Sequence, residues 1–179
     1  GEEVEADLPF DSTATFEQLA AEYGFDTEHH YVYTPDNYHL KIFRIRKKGQ
    51  TGYGKPVFLQ HGLFSDADTW CLMKEKSLAY YLSNLGYDVW LGNNRGNKYS
   101  RANSKINPDE DPADFFDYSF YELGKYDLPA MIDFVRSYTG KRRISYIGHS
   151  QGTTQMFSAL AHNHGNLNGK INNFLALAP

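Results

Sequence analysis

A single cysteine, Cys71, among 179 residues excludes an intrachain disulfide and any cysteine-based metal site. No apolar run approaches the ~20 residues that a bilayer-spanning helix needs. No N-x-Ser/Thr sequon is present either, so glycosylation lends no support to secretion. Basic residues are not in excess: 18 Lys and Arg stand against 22 Asp and Glu, for a net charge of −4. That balance argues against nucleic acid as a partner, because phosphate binding needs a basic patch. The one basic cluster, "KIFRIRKK" at 41–48, alternates cations with Ile42, Phe43 and Ile45 and reads as a strand with a solvated face. No metal-ligand cluster and no phosphate-cradling loop stand out, so neither a metal nor a cofactor is expected. The opening "GEEVEADLPF" shows no signal-peptide pattern and is compatible with a mature terminus.

What is present suits a packed core. Apolar residues make up 41% and aromatics 16%, enough for one domain over 1–179 with a sizeable interior. Residues 1–14 are acidic and aperiodic, an extended lead-in. A helix and a hairpin occupy 15–50: Thr15 and Gln18 have capping-box spacing, Gly24 supplies the stop, and "HHYVYT" and "YHLKIFRIR" alternate across the turn "PDN". From 51 onwards strands and helices alternate. "PVFLQ" (56–60), "YDVWL" (87–91), "ISYIG" and "NNFLALAP" read as strands. Helices are expected at about 75–85, over "SFYELGKYDLPAMIDFVRSYTG" and over "GTTQMFSALAHN". In the second of these, Ser119 and Glu122 form another capping box, and Pro129 kinks or restarts the helix near Asp127. Asp68, in "DTW", reads as a helix-start residue, as does Asp127, and "GNNRGNKYSRANSKINPDEDP" as a long polar loop. The fold class is α/β: a mostly parallel sheet with helices on both faces and an antiparallel start.

The stretch "YIGHSQGTT" carries the chemistry. Ser150 lies between Gly148 and Gly152 in a G-x-S-x-G pattern, after a buried strand and before a helix. A serine hydroxyl is a weak nucleophile and needs exposure, a base and a stabilised oxyanion. A sharp strand-to-helix turn exposes it, and that turn brings strand and helix so close that small residues are required at both flanks. The oxyanion donors expected for such an elbow are the N–H of the next residue, Gln151, and one from the loop after an earlier strand. "FLQHGLFSDADTW" supplies the loop: Gly62 lets the backbone turn, Leu63 offers the N–H, and His61 shapes the loop by packing or hydrogen bonding. Asn93, Asn94 and Arg95 read as loop-shaping residues, with Arg95 on the substrate side.

The blocks "FLQHGLFSDADTW", "GYDVWLGNNRGNKYSR", "FYELGKYDLPAMIDFV", "YIGHSQGTTQMFSALA" and "FLALAP" together resemble the acid lipase family of α/β-hydrolases, which includes lysosomal acid lipase, gastric lipase and sterol-ester hydrolases. The similarity runs from about residue 16 to the end. It implies hydrolysis of apolar lipid esters, triacylglycerols or cholesteryl esters, with Ser150 as nucleophile and Leu63 and Gln151 as oxyanion donors. It also implies contact with a lipid interface and a lysosomal or secreted location.

One part of that pattern is not met. The α/β-hydrolase triad follows the chain order Ser, Asp or Glu, His, yet residues 151–179 hold no carboxylate and only His162 and His164. Those two fall at the end of the helix that leads away from Ser150, beyond hydrogen-bond reach. His149 is a neighbour pointing elsewhere, and His29, His30 and His39 belong to the hairpin. The triad Asp and His are therefore expected outside this chain, together with further strands and a cap. On that expectation the isolated chain is inactive. The apolar "FLALA" strand agrees, since it would otherwise be a bare hydrophobic edge. Two other readings remain: a catalytically incomplete scaffold whose edge a partner chain covers, and a hydrolase of some other bond, such as a thioester or small ester.

Overall fold

The computed structural model describes residues 14–179; the acidic lead-in over 1–14 lies almost wholly outside the described residues. Helix α1 (Phe16–Glu22) begins at Thr15, whose side chain and that of Gln18 form the expected capping box, and the chain turns out of it at Gly24 with φ 84°. Strands β1 (Phe25–Tyr33) and β2 (Tyr38–Lys47) follow as an antiparallel hairpin. After β3 (Pro56–Gln60) a 3-10 turn (Ala67–Cys71) and α2 (Leu78–Asn84) lead into β4 (Asp88–Leu91). A long loop with a two-residue strand β5 (Ala102–Asn103) and a short α3 (Pro112–Phe115) comes next. Helix α4 (Phe120–Glu122) is capped by Ser119 and Glu122 and passes through a π-helical turn (Leu123–Asp127) into α5 (Leu128–Thr139). Pro129 has no N–H to give to the preceding turn, so the break falls where expected. Strand β6 (Ile144–His149), α6 (Gln151–Ala161) and β7 (Ile171–Leu177) complete the described chain.

The sheet order is β1-β2-β4-β3-β6-β7, with β5 beside β2. The hairpin pairs are antiparallel, and β4, β3, β6 and β7 run parallel. From β3 the chain steps to β4 on one side and later to β6 on the other. The carboxyl ends of β3 and β6 thus flank a switch in strand order, the place where α/β sheets open a crevice. The register sets Gln60 beside Gly148, so the loops leaving these strands begin at the same level.

Alternation along the strands builds two cores. Phe58, Trp90 and Tyr146 face α5 and α6, meeting Leu128, Met131, Ile132, Met156 and Ala159. Val57, Leu59, Val89, Leu91 and Ile147 face the other way, against Phe16, Ala20, Trp70, Ala79 and Tyr80. Helices therefore cover both faces, as a parallel sheet requires.

Two expectations are corrected. The 41–48 strand exists, but its cation Arg44 is not solvated: it is 7% exposed. Its Nε and second guanidinium nitrogen donate to Asp88 at 2.7 and 2.9 Å, another donates to Glu28 at 2.7 Å, and the Tyr53 ring stacks 3.3 Å away. The partners come from other segments, which local charge spacing does not reveal. Asp68 does lie in the first turn of the 3-10 helix, but the cap is Asp66, which accepts from the Asp68 N–H at 2.9 Å. The Asp68 carboxylate is instead buried and receives Lys98 and the Tyr99 hydroxyl.

Candidate active site

Ser150 links β6 to α6 with φ 51° and ψ −119°, a conformation that a residue with a Cβ adopts only under strain. Bonds on both sides hold it there. Its N–H donates to Leu177 O at 2.9 Å, and its carbonyl accepts from the Thr153 N–H at 2.8 Å and the Thr153 hydroxyl at 2.6 Å. The Ser150 side chain is exposed. The flanking glycines are needed for space. A Cβ on Gly148 would stand 2.6 Å from Gly152 O, and one on Gly152 would stand 2.8 Å from His61 O and closer still to Gln60 O. Helix and strand cross here with nothing but backbone between them.

The loop after β3 lies against the elbow. A Cβ built on Gly62 would be 3.1 Å from the Ser150 Cβ. Neither the Leu63 nor the Gln151 N–H has an acceptor among the described residues, and both residues line one cleft of about 550 Å³. Leu63, Phe64 and Phe116 are exposed on it, Phe64 completely and with φ 54°, together with the polar Lys98 and Ser119. Two N–H donors from different strand ends, opening beside a strained exposed serine, are an arrangement that can receive a negative oxygen.

His61 shapes this loop by hydrogen bonding. It is 3% exposed, its Nδ1 lies 2.8 Å from Gly62 O, and its Nε2 accepts from the Asn94 N–H at 3.1 Å. Only the neutral ring protonated at Nδ1 satisfies both contacts. Burial depresses its pKa to about 4, against a small opposing pull from the Gly62 carbonyl, so the ring is neutral at ordinary pH.

The polar loop after β4 is a buried network, and here sequence reasoning fell short. Asn94 and Gln155 exchange amide hydrogen bonds at 2.8 and 3.1 Å. Arg95 adjoins the cleft but is 3% exposed, and its guanidinium is committed to carboxylates, in keeping with a loop-shaping residue. Asp127 stands at the start of α5, as expected, but its side chain makes no capping bond there. It is fully buried at the end of the π-helical turn and accepts from the Arg95 N–H and Nε, both at 2.8 Å. Asp36 takes the outer guanidinium nitrogens at 2.6 and 2.9 Å, and the Tyr38 ring lies 3.8 Å from the guanidinium carbon. Burial pushes the Asp127 carboxyl up to about 6, against the charge and hydrogen bonds of Arg95. A carboxylate directly before Leu-Pro, and an Arg inside a run of Asn and Gly, are visible in the sequence; their pairing is not.

Of the remaining histidines, His149 adjoins Ser150 and the others lie away from it. His162 and His164 stack on each other and edge-on to Tyr121 at the far end of α6, and the His162 Nδ1 is 2.9 Å from Ser158 O. His30 packs among Trp90, Phe134 and Tyr138. His29 lies 3.6 Å from Glu17, and His39 bonds Ser104. His149 is exposed beside the elbow, its Nδ1 3.5 Å from the point a Gly62 Cβ would occupy. Among the described residues no group of three or more His, Cys, Asp or Glu could hold a metal ion.

A serine elbow at the carboxyl end of a central parallel strand defines a class, and sequence comparison names it. The family described as "alpha/beta hydrolase fold" matches residues 55–179, and the "Partial alpha/beta-hydrolase lipase region" matches 16–74. The chain belongs to the alpha/beta hydrolase family. Its relatives are lipases. Lipase 1 of Drosophila melanogaster is 45% identical over 94% of this chain and 37% of that protein. Human gastric triacylglycerol lipase is 44% identical over 93% of this chain and 42% of its own length. The chain thus spans about two fifths of the curated relatives it matches. A putative lipase from Sulfolobus solfataricus, 15% identical, superposes on 86% of this chain and 45% of its own with a TM-score of 0.63. A Pyrococcus furiosus esterase does so on 86% and 49% at 0.59 with 19% identity. At those identities the likeness is one of fold.

Proposed function

We propose that this chain carries the nucleophile and oxyanion hole of an acid-lipase-type carboxylic ester hydrolase acting on triacylglycerols or cholesteryl esters. The Ser150 hydroxyl attacks the ester carbonyl carbon, and the carbonyl oxygen takes the negative charge between the Leu63 and Gln151 N–H groups. The alcohol leaves with a proton, water attacks the acyl-serine, and the acid returns Ser150 to its starting state. A base must pass the serine proton to the leaving alcohol, then take a proton from the attacking water and give it to Ser150. His61 is committed to Gly62 and Asn94, and no other described histidine hydrogen-bonds the Ser150 hydroxyl; on this reading the triad Asp and His lie outside this chain. The observation that carries this reading is the strained, exposed Ser150 beside two N–H donors that lack acceptors. The exposed apolar side chains of Leu63, Phe64 and Phe116 on the cleft support an apolar substrate presented at a lipid surface. The lipase resemblance supports a lysosomal or secreted location, and no helix among the described residues is long and apolar enough to cross a membrane.

The test is labelling of the full-length protein by an alkyl fluorophosphonate, followed by hydrolysis of a triacylglycerol, a cholesteryl ester and a thioester side by side. Ser150→Ala should abolish labelling and all three activities. Labelling that survives Ser150→Ala places the nucleophile elsewhere. Hydrolysis of the thioester alone removes the lipase reading while keeping the serine.

A further inference from the structure

We propose that Asp127, although in no contact with the nucleophile, is a positioning residue for the oxyanion hole, acting through Arg95, Asn94 and His61 on the Leu63 N–H. This inference rests on the assignment of Ser150 and Leu63 made above.

The links are hydrogen bonds of 2.8 to 3.1 Å joined through the backbone of residues 94–95 and 62–63. Asp127 grips residue 95 twice, at its backbone N–H and at its guanidinium, while the Tyr118 hydroxyl donates to Arg95 O at 2.8 Å. Both faces of the residue-95 backbone are therefore held. Residue 94 is held too, its side-chain amide locked to Gln155. The Asn94 N–H points at His61 Nε2 at 3.1 Å, where the Asn97 side-chain amide also approaches at 3.2 Å. That donor requires Nε2 to be unprotonated, which places the ring proton on Nδ1, where it meets Gly62 O. The Gly62–Leu63 peptide is trans, so its carbonyl and N–H point in opposite directions. Holding the Gly62 oxygen against His61 turns the Leu63 N–H away from His61.

The π-helical turn at Leu123–Asp127 has a place in this chain. Gly124, inside it, lies so close to α6 that a Cβ would stand 2.6 Å from Gln155 O. The turn that carries Asp127 is therefore seated on the same helix that begins at the oxyanion donor Gln151. One helix thus carries Gln151 and supports the carboxylate that sets Leu63. A lone structural ion pair would need only the guanidinium contact; the second bond, from Asp127 to the Arg95 backbone, is the one that fixes the loop.

Asp127→Asn is the direct test, because it is isosteric and sets an NH2 group where an oxygen must accept. In the full-length protein, competent sites are counted by fluorophosphonate labelling taken to completion, and ester hydrolysis is measured per labelled site. Removal of one oxyanion donor lowers kcat by about 100- to 1000-fold, so misdirecting it should lower kcat per site by about 10- to 100-fold with KM little changed. In a double-mutant cycle with His61→Gln, the double variant should lose little more than the worse single variant. Losses that multiply overturn the proposal, as does wild-type kcat per site in Asp127→Asn. That second result would leave Ser150 standing, since labelling persists, whereas wild-type protein without labelling at Ser150 overturns both readings. If the variants do not fold, 15N NMR of the wild-type histidines at pH 7 decides: His61 must be protonated at Nδ1 alone, and an Nε2–H tautomer overturns the proposal.

Discussion

Gly152→Ala is the smallest change that should reach both stability and chemistry. The added methyl would lie 2.8 Å from His61 O and nearer to Gln60 O, whereas real Cβ contacts below 3.0 Å essentially never occur. Both obstructing atoms are backbone of a central strand and the loop after it, so neither can swing aside. The amino end of α6 must retreat, and Ser150 and Gln151 retreat with it. Overpacking of this kind costs about 3 kcal/mol, and the better helix propensity of alanine offsets about 1 kcal/mol. The net loss is about 2 kcal/mol, roughly a 30-fold fall in the ratio of folded to unfolded protein. A displacement approaching 1 Å at a reacting group lowers rate by up to about 100-fold, so fluorophosphonate labelling should slow by about 10-fold or more. Gly49→Ala is the control. It has φ 78° but open space around it, so it should cost about 1 kcal/mol for its left-handed backbone and leave labelling unchanged. Urea unfolding and the labelling rate constant measure the two effects. A Gly152→Ala protein within 0.5 kcal/mol of wild type that labels at the wild-type rate would refute the close-crossing argument.

The strain at Ser150 should be releasable: Ser150→Gly should raise stability by about 1 kcal/mol or more while abolishing labelling, and a destabilised variant by urea unfolding would contradict the φ 51° reading. His61 titrates at about 4 in the folded protein against about 6.5 unfolded, so the unfolded chain binds more protons between those values. Its contribution is therefore complete above pH 6.5 and is lost as pH falls to 4, by about 3 kcal/mol; His61→Gln should flatten that slope in pH-dependent unfolding. Asp88→Ala leaves the buried Arg44 with Glu28 as its one carboxylate partner and should cost about 3 kcal/mol, whereas replacing Arg44 and Asp88 together by apolar residues should cost much less in the same assay.

Local patterns reached the architecture because local physics decides it. Capping boxes at Thr15 and Ser119, the stop at Gly24 and the break at Pro129 all operate within a few residues of themselves, and each stands where the spacing places it. The strand-to-helix turn at Ser150 was legible for the same reason, since strand, glycine, serine, glycine and helix are contiguous. Buried charge was not. Arg44 finds Asp88 across 44 positions, and Arg95 finds Asp127 across 32. Nothing in "KIFRIRKK" or "GNNRGN" separates a cation that reaches water from one that reaches a carboxylate folded up behind it. Polar composition was read as solvent exposure there, and tertiary pairing overrode it.

The pairing of Gln60 with Gly148 acts as a proofreader. Slipping β6 by one residue along β3 would carry Ser150 about 3.3 Å past the loop that faces it. The same slip would turn every β6 side chain to the opposite face, driving Tyr146 into the space of Ile147 and the reverse. Tyr146 and Ile147 belong to different cores, one under α5 and α6 and the other under α1 and α2. A misaligned site therefore cannot hide in a well-packed protein. The spacing between Ser150 and the Leu63 and Gln151 N–H groups is enforced by several buried aromatic and aliphatic side chains remote from all three.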